Sequence, residues 1–214
     1  MKKGSGLTVY AIFYLIFLYA PIAILPVFAF NNSQVVAFPL KGFTTQWFGE
    51  MWADTNLRSA LLRSLVIALT SATSATILGL FAARASVRYN FPGKTPAMGL
   101  IMLPMVLPDI VIAMSLLILL LSLSVPLSML TIIMGHVLLC MPFAVAILTS
   151  AFQSLDKSLE EAALDLGETR AATFRLIILP LVMPGIIASF LICFTISIDE
   201  FVLANFLGSG KPVL

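Results

Sequence analysis

Charged residues are scarce in this chain of 214 residues. Aspartate, glutamate, lysine and arginine together make up only 10% of it, whereas 60% of its residues are hydrophobic. Its mean hydropathy is +1.08, and a soluble domain would carry about 25% charged residues. The composition therefore excludes a soluble globular protein and predicts an integral membrane protein. The net charge of +2 is too small to indicate a nucleic-acid partner.

Cysteine and histidine are also scarce. Cys140 and Cys193 both lie inside apolar runs, so we interpret them as small core residues rather than a disulfide or metal pair. His136 is the only histidine, and we predict a hydrogen-bonded packing residue rather than a metal ligand. The phosphate-binding pattern Gly-x-x-x-x-Gly-Lys-Ser/Thr does not occur. The chain is therefore predicted to be non-catalytic and to hold no cofactor, with any ATP bound by a partner subunit.

Long apolar runs dominate the rest of the sequence. A hydrocarbon core of about 30 Å is crossed by about 20 helical residues, and five segments are long enough. They predict an all-α, polytopic transmembrane bundle that forms one domain over residues 1–214. The predicted spans are 9–30, 60–83, 97–121, 127–152 and 181–207.

The placement of lysine and arginine predicts the orientation of these spans. With the N-terminus inside, eight basic residues fall on the cytoplasmic side: Lys2, Lys3, Arg84, Arg88, Lys94, Lys157, Arg170 and Arg175. Four fall on the outer side or at its edge: Lys41, Arg58, Arg63 and Lys211. By the positive-inside rule, this asymmetry predicts a cytoplasmic N-terminus and a cytoplasmic loop over residues 153–180.

Residues 160–180 form the only long polar stretch between two strongly apolar ones. A short helix is predicted over 160–166, and Gly167 ends it, because glycine adopts the left-handed conformation without steric cost. A second helical stretch is predicted over 171–178, and Pro180 and Pro184 predict a bend into the next apolar run. A simple link would need only a few residues, so this structured element indicates that a soluble partner docks on it.

Three acids lie inside apolar runs: Asp109, Asp199 and Glu200. A charge at the bilayer centre costs about 3 kcal/mol or more, so such residues normally face a cavity or a partner. Asp109 is predicted midway through the third span, after Pro104 and Pro108, which would break that helix. Carboxylates along a water-filled path would favour a cationic substrate. Pairing with a partner subunit, or capping of a helix end, is the alternative.

Two weaker patterns concern packing and the outer surface. Ser71, Ala75 and Gly79 recur at four-residue spacing in the second span, which is typical of close helix packing in lipid. The outer loop 31–59 is rich in phenylalanine and tryptophan. These aromatic residues predict an interfacial belt, a docking surface for an extracytoplasmic binding protein, or both.

Seven residues of the polar stretch have the spacing of a family signature. They resemble the EAA loop of ABC importer permeases: Glu161, Ala162, Ala163, Gly167, Ile177, Leu179 and Pro180. The resemblance implies a type I ABC importer permease fold, in which the coupling loop 153–180 fits a groove on a cytoplasmic ATPase. That family has a six-span core, so we expect that a sixth span is missing here, either by truncation or by nature.

Further short segments resemble the spermidine/putrescine permeases, namely 19–21 with 30–33, 107–111, 135–137 and 197–200. The resemblance implies a permease subunit of a bacterial inner-membrane importer, forming half of a polyamine path that Asp109, Asp199 and Glu200 line. It implies an ATPase homodimer, a second homologous permease, an extracytoplasmic binding protein and the lipid bilayer as partners.

The substrate is open at this point. Related iron, thiosulfate and phosphonate permeases share much of the pattern, and the polyamine permeases typically carry two aspartates where this chain has Asp199 and Glu200. Two other classes are alternatives: an ion-coupled secondary transporter with the acids as proton relays, and a non-transporting membrane scaffold. The EAA spacing argues against both.

Overall fold

The computed structural model describes residues 4–208, which form helices joined by short loops, with no β-strand in that range. Ten α-helices are numbered in chain order: α1 Gly4–Ala29, α2 Gln46–Ala53, α3 Thr55–Arg88, α4 Lys94–Met102, α5 Asp109–Ser122, α6 Met129–Gln153, α7 Ser158–Asp165, α8 Arg170–Thr173, α9 Leu179–Asp199 and α10 Phe201–Leu207. A 3₁₀ turn, Leu103–Val106, follows α4, and a π-helical turn, Phe174–Ile178, links α8 to α9. The all-α class predicted from the sequence is confirmed.

Four helices within residues 4–208 are long and apolar enough to cross a membrane. They correspond to the first, second, fourth and fifth predicted spans: Gly6–Ala29, Thr55–Arg88, Met129–Gln153 and Arg170–Asp199. The third predicted span, 97–121, is a broken pair, and counting it as one span gives five. The described chain is thus a multi-pass membrane protein.

The third span breaks where its prolines predict. The segments Lys94–Val106 and Asp109–Ser122 meet at an angle of 113°. Leu107 and Pro108 adopt extended backbone between them, because Pro108 disfavours helical geometry at the residue before it. The break predicted at these prolines is therefore confirmed, and Asp109 lies in the first turn of α5.

The fifth span differs from its predicted bounds at both ends. The helix runs continuously from Arg170 to Asp199, so neither Pro180 nor Pro184 ends it. Just before Pro180, the π turn changes the spacing of the backbone hydrogen bonds from four residues to five. This change of spacing helps the helix to accommodate a proline, which has no N–H donor. The predicted end at residue 207 hides a second break, because α9 stops at Asp199 and α10 begins after Glu200.

Small residues bring α3, α6 and α9 into close contact. The small-residue stripe of α3 is buried within the chain itself, and Ala72 and Ala75 pack with Cys140, Ala144 and Cys193. Glycines allow the closest approaches: a Cβ built on Gly79 would lie 2.7 Å from the Cβ of Ala144, and one on Gly185 would lie 2.7 Å from that of Ala151. Close backbone approach of this kind is how helices associate in lipid.

The chain divides after Arg58 into two compact units. In the first unit, Asn31 is buried at the end of α1 and organises the loop that follows. Its side-chain oxygen accepts a hydrogen bond from the Lys41 amide at 2.9 Å, and its carbonyl accepts one from the Trp47 indole at 2.9 Å. Other aromatic residues of this loop, among them Phe43 and Trp52, are exposed, as either an interfacial belt or a docking surface requires.

Candidate functional site

The coupling loop begins with a short helix that ends where the sequence predicts. α7 spans Ser158–Asp165, and Gly167 follows with φ +90°. The Glu168 amide donates to the Ala163 carbonyl at 3.1 Å, and the Gly167 amide donates to the Leu164 carbonyl at 3.0 Å. This pair of bonds is the Schellman motif, which satisfies the last carbonyls of a helix. The left-handed turn predicted for Gly167 is confirmed.

After Gly167 the chain restarts as a helix at Thr169, which is the N-cap of α8. The Thr169 hydroxyl accepts a hydrogen bond from the Ala172 amide at 3.2 Å, and this satisfies one of the free donors of the helix start. The Thr173 hydroxyl in turn donates to the Thr169 carbonyl at 3.0 Å. Local chemistry thus defines a helix–turn–helix element on either side of a single glycine.

The seven motif residues divide between an outer and an inner surface of this element. Glu161, Ala162, Gly167 and Pro180 are exposed, whereas Ile177 and Leu179 are half-buried. Ala163 is buried on the inner side of α7, which packs against α8 and the π turn. The exposed members are accessible to a partner, and the buried alanine allows α7 to pack closely on α8 and the π turn.

An arginine at the end of α3 holds this element, and the sequence analysis did not identify it. The Arg88 Nε donates to Glu160 Oε1 at 2.7 Å, and its Nη2 donates to the Leu155 carbonyl at 3.2 Å. The Arg88 side chain is only 7% exposed and that of Glu160 is 20% exposed. Arg84, one helical turn earlier, places its guanidinium 4.2 Å from the centre of the Phe174 ring.

A signal for these contacts was present in the sequence. Arg84 and Arg88 are four residues apart, so they share one face of α3, and Glu160 stands beside the motif residue Glu161. All four line a cleft of about 290 Å³ between the end of α3 and the coupling loop. The contacts place these two predicted cytoplasmic segments at the same end of the bundle.

Asp156 lies in the turn between α6 and α7. Its carboxylate accepts a hydrogen bond from the Ser158 amide at 2.9 Å, and this bond holds the pKa of Asp156 below its ordinary value. The nearby positive charge of Arg88 acts in the same direction. The turn is therefore most favourable with Asp156 ionised, above the pKa of the unfolded chain, and loses this contribution as the pH falls through the folded-state pKa.

The three intramembrane acids lie at the two helix breaks. Asp109 is exposed in the first turn of α5, and Asp199 is exposed at the end of α9. Glu200 is half-buried between α9 and α10, and its Oε1 accepts a hydrogen bond from the Leu203 amide at 2.9 Å.

The cap formed by Glu200 agrees with the helix-end alternative that the sequence left open for these acids. Because α10 packs against α5, the two breaks belong to one packed region. The core of that region is apolar and includes Leu203, Ala204 and Ile112.

Polar side chains also lie within the interface between the spanning helices. His136 is buried, and its Nδ1 lies 2.7 Å from the Ser197 hydroxyl, which confirms the predicted packing role. Cys140 and Cys193 are free thiols, and the sulfur of each lies within hydrogen-bond distance of the other's carbonyl. Among the residues described, no cluster of three or more metal-binding side chains occurs.

Comparison with known proteins places this fold in a family. Residues 75–214 match the model of the family described as "Binding-protein-dependent transport system inner membrane component". The chain is 40% identical over 206 residues to the putrescine transport system permease protein PotI of Escherichia coli (strain K12), covering 92% of this chain and 73% of that protein.

Two further relatives carry related names. The spermidine/putrescine transport system permease protein PotC of Escherichia coli (strain K12) is 39% identical over 206 residues, covering 96% of this chain and 76% of that protein. PotC of Haemophilus influenzae is 36% identical over 190 residues, covering 89% and 74%. Permeases of this family function with an ATPase, a second permease and a binding protein. The chain therefore belongs to the binding-protein-dependent transport system inner membrane component family and is a non-catalytic, multi-pass permease subunit of an ABC importer.

Proposed function

We propose that this permease forms half of the translocation path of a polyamine importer, in which Asp109, Asp199 and Glu200 attract the cationic substrate. The observation that carries the proposal is the position of these carboxylates at two helix breaks that belong to one packed region. Like charges close together repel, and a passing ammonium group would relieve that repulsion. The names of the relatives, which are putrescine and spermidine/putrescine permeases, support the same class of substrate.

The coupling loop supplies the second part of the proposal. The exposed side of α7, with Glu161 and Ala162, docks in a groove of a cytoplasmic ATPase homodimer, and its movement during ATP hydrolysis tilts the spans. A second, homologous permease completes the path, and an extracytoplasmic binding protein delivers the polyamine. Support comes from the element itself, a rigid helix–turn–helix that the chain does not need as a mere link.

Substrate-stimulated ATP hydrolysis by the purified complex tests the proposal. The complex of both permeases and the ATPase, supplied with its binding protein, would be assayed with spermidine, putrescine, ferric iron, thiosulfate and a phosphonate. We expect stimulation by the polyamines alone. Stimulation by an anion would contradict the role of the acids, and stimulation by ferric iron would keep a cationic path but exclude polyamines.

Neutral isosteres test the acids separately from packing. Glu200→Gln keeps an oxygen that can accept the Leu203 amide and removes the charge, and Asp109→Asn does the same at the other break. A pair of unit charges 4 Å apart in a water-filled path contributes about 1 kcal/mol, so each change should lower polyamine uptake roughly fivefold. ATPase copurification serves as the control and should not change. Parental uptake in both variants, and in Asp199→Asn, would show that the acids are structural.

The orientation is also part of the proposal, with the N-terminus and the coupling loop in the cytoplasm. Glu168 is exposed beside Gly167, and the two native cysteines are buried, so Glu168→Cys provides a single accessible thiol. We expect that an impermeant thiol reagent labels it only after the membrane is opened. Efficient labelling in intact cells would show that this loop lies outside the cytoplasm and would contradict the proposed orientation.

A further inference from the structure

The end of α3 is attached to both halves of the coupling loop. Arg88 reaches the first half, where it bonds the carboxylate of Glu160 in α7 and the carbonyl of Leu155 just before it. Arg84 reaches the second half, where its guanidinium lies over the ring of Phe174 in the π turn. The two contacts lie on opposite sides of Gly167 along the chain, so they bridge the turn.

The contact made by Arg88 is protected from water. Its side chain is 93% buried, since only 7% of it is exposed, and Glu160 is 20% exposed. An arginine in such a position presents its donors in a fixed planar fork, which holds a carboxylate and a carbonyl at defined angles. A buried pair of this kind is costly to break on one side alone, because the remaining charge loses its partner. The connection is therefore a largely buried contact with two directed hydrogen bonds, unlike an exposed surface ion pair.

The part of α3 that precedes Arg88 is packed tightly into the bundle. Ala83 lies in a cluster with Leu148 and Phe152 of α6, with Ile178 at the end of the π turn, and with Val182 of α9. A displacement of α7 that is transmitted to Arg88 would therefore move α3 together with the two helices that the loop joins covalently. Without the link, α3 would follow only through its apolar contacts.

We infer that Arg88 and Glu160, assisted by Arg84 and Phe174, are positioning residues that make α3 move with the coupling loop. The inference rests on the proposed function of that loop. It assigns different roles to two neighbouring acids. Glu160 faces inward and serves the chain's own link, whereas Glu161 is exposed on the same helix and is available to the ATPase.

Removal of each acid separately tests this division. Glu160→Gln and Arg88→Gln both break the ion pair, and Glu161→Gln is the matched control one residue away. The charge exchange Arg88→Glu with Glu160→Arg restores an ion pair of reversed polarity. For each purified complex, three quantities would be measured: the amount of ATPase that copurifies, its basal hydrolysis, and the ratio of substrate-stimulated to basal hydrolysis.

We expect that Glu160→Gln and Arg88→Gln retain the ATPase but lower the stimulation ratio by roughly fivefold or more, a typical lower value for coupling between sites. Glu161→Gln should instead lower ATPase recovery, because Glu161 belongs to the proposed docking surface. The exchanged pair should recover part of the ratio only, because a glutamate at position 88 cannot donate to the Leu155 carbonyl. A general folding defect would instead lower recovery and hydrolysis together, without rescue by the exchange.

Hydrogen exchange of the backbone amides separates this inference from the proposed function. In the purified complex, Glu160→Gln should speed exchange in α7 and in the last turn of α3, whether or not any substrate stimulates hydrolysis. Unchanged exchange together with a parental stimulation ratio would overturn the link. Faster exchange in a complex that no tested substrate stimulates would leave the link standing and count against the proposed function.

Discussion

Gly79 inside the membrane and Gly167 in the coupling loop are both required to be glycine, but for opposite reasons. At Gly79 the backbone is helical and space is absent: a Cβ would lie 2.7 Å from the Ala144 Cβ and 3.2 Å from the Ala144 carbonyl carbon. At Gly167 no atom outside the glycine and its two chain neighbours lies within 4 Å of the corresponding position, but the backbone has φ +90°. The first glycine is fixed by its neighbours, and the second by its own conformation.

The difference describes how the two regions are stabilised. The spans are held by close packing, because lipid offers no hydrophobic advantage to helix association and contact must come from shape. The coupling loop is held by backbone geometry and by directed bonds, among them the Arg88–Glu160 pair and the Thr169 cap. Substitutions that change side-chain volume should therefore destabilise the packing of the spans. Substitutions that restrict the backbone conformation should destabilise the coupling loop.

The largest effect is expected from Gly79→Ala. The added methyl cannot be accommodated by rotation, because its neighbour is the Cβ of an alanine, so α3 and α6 must separate. Overpacking of this kind costs about 1–3 kcal/mol, and we expect a lower thermal stability of the detergent-solubilised complex and less protein in the membrane.

The compensating change sharpens this prediction. In the double variant Gly79→Ala with Ala144→Gly, the methyl group is moved from one helix to the other, and the closest contact at 2.7 Å is removed. Stability should return most of the way to the parental value. If the stability loss of the double variant equals the sum of the losses in the two single variants, the requirement for glycine at position 79 does not come from the lack of space between α3 and α6.

A smaller loss of stability, but a complete loss of uptake, is expected from Gly167→Val. A left-handed conformation costs an L-residue roughly 1–2 kcal/mol, and a β-branched side chain makes it a true outlier. The turn should then open and α7 should lose its position, while the spans remain intact. Uptake and membrane content are the two measurements.

Gly167→Asn is the matched control, because asparagine adopts the left-handed region more readily than other side-chain-bearing residues. It should retain much of the uptake that Gly167→Val loses. Equal loss in both variants would point to a need for an empty surface at this turn, as close contact with the ATPase would require, rather than to backbone strain.

The smallest effect is expected from Thr169→Ala, which removes the cap of α8. Loss of an N-cap typically costs about 1 kcal/mol, so the Ala172 amide should exchange with solvent about five times faster. Thr169→Ser keeps the hydroxyl and should exchange at the parental rate. An unchanged rate in Thr169→Ala would mean that the π turn, and not the cap, holds the start of this helix.

Much of the fold could be predicted from the sequence, because the relevant information is local. Long apolar runs identify the spans, Gly167 identifies the end of α7, and Pro108 identifies the break before α5. The fifth span was predicted less well. Pro180 indicates a helix end in a regular ladder, whereas the π turn before it allows the helix to continue.

The candidate site was predictable only in part, for the same reason. The seven EAA positions follow a spacing that can be read along the chain, but Arg88 and Glu160 are 72 positions apart. No periodicity connects them, and Arg88 by itself is simply one of several basic residues near a predicted membrane edge. Glu200 could be recognised as an unusual acid, but not as the cap of α10, because that helix was hidden in a continuous apolar run.

The sequence by itself thus determined that this chain crosses the membrane several times and carries a polar helical segment closed by a glycine turn, since apolar length, charge and backbone freedom are properties of consecutive residues. Only the tertiary structure decided which helices the small-residue stripe of α3 contacts, which acids share the region of the two breaks, and which arginine holds the coupling loop. Those outcomes depend on contacts between side chains that are far apart in the sequence, and the positions of residues along the chain do not show which of them packing brings together.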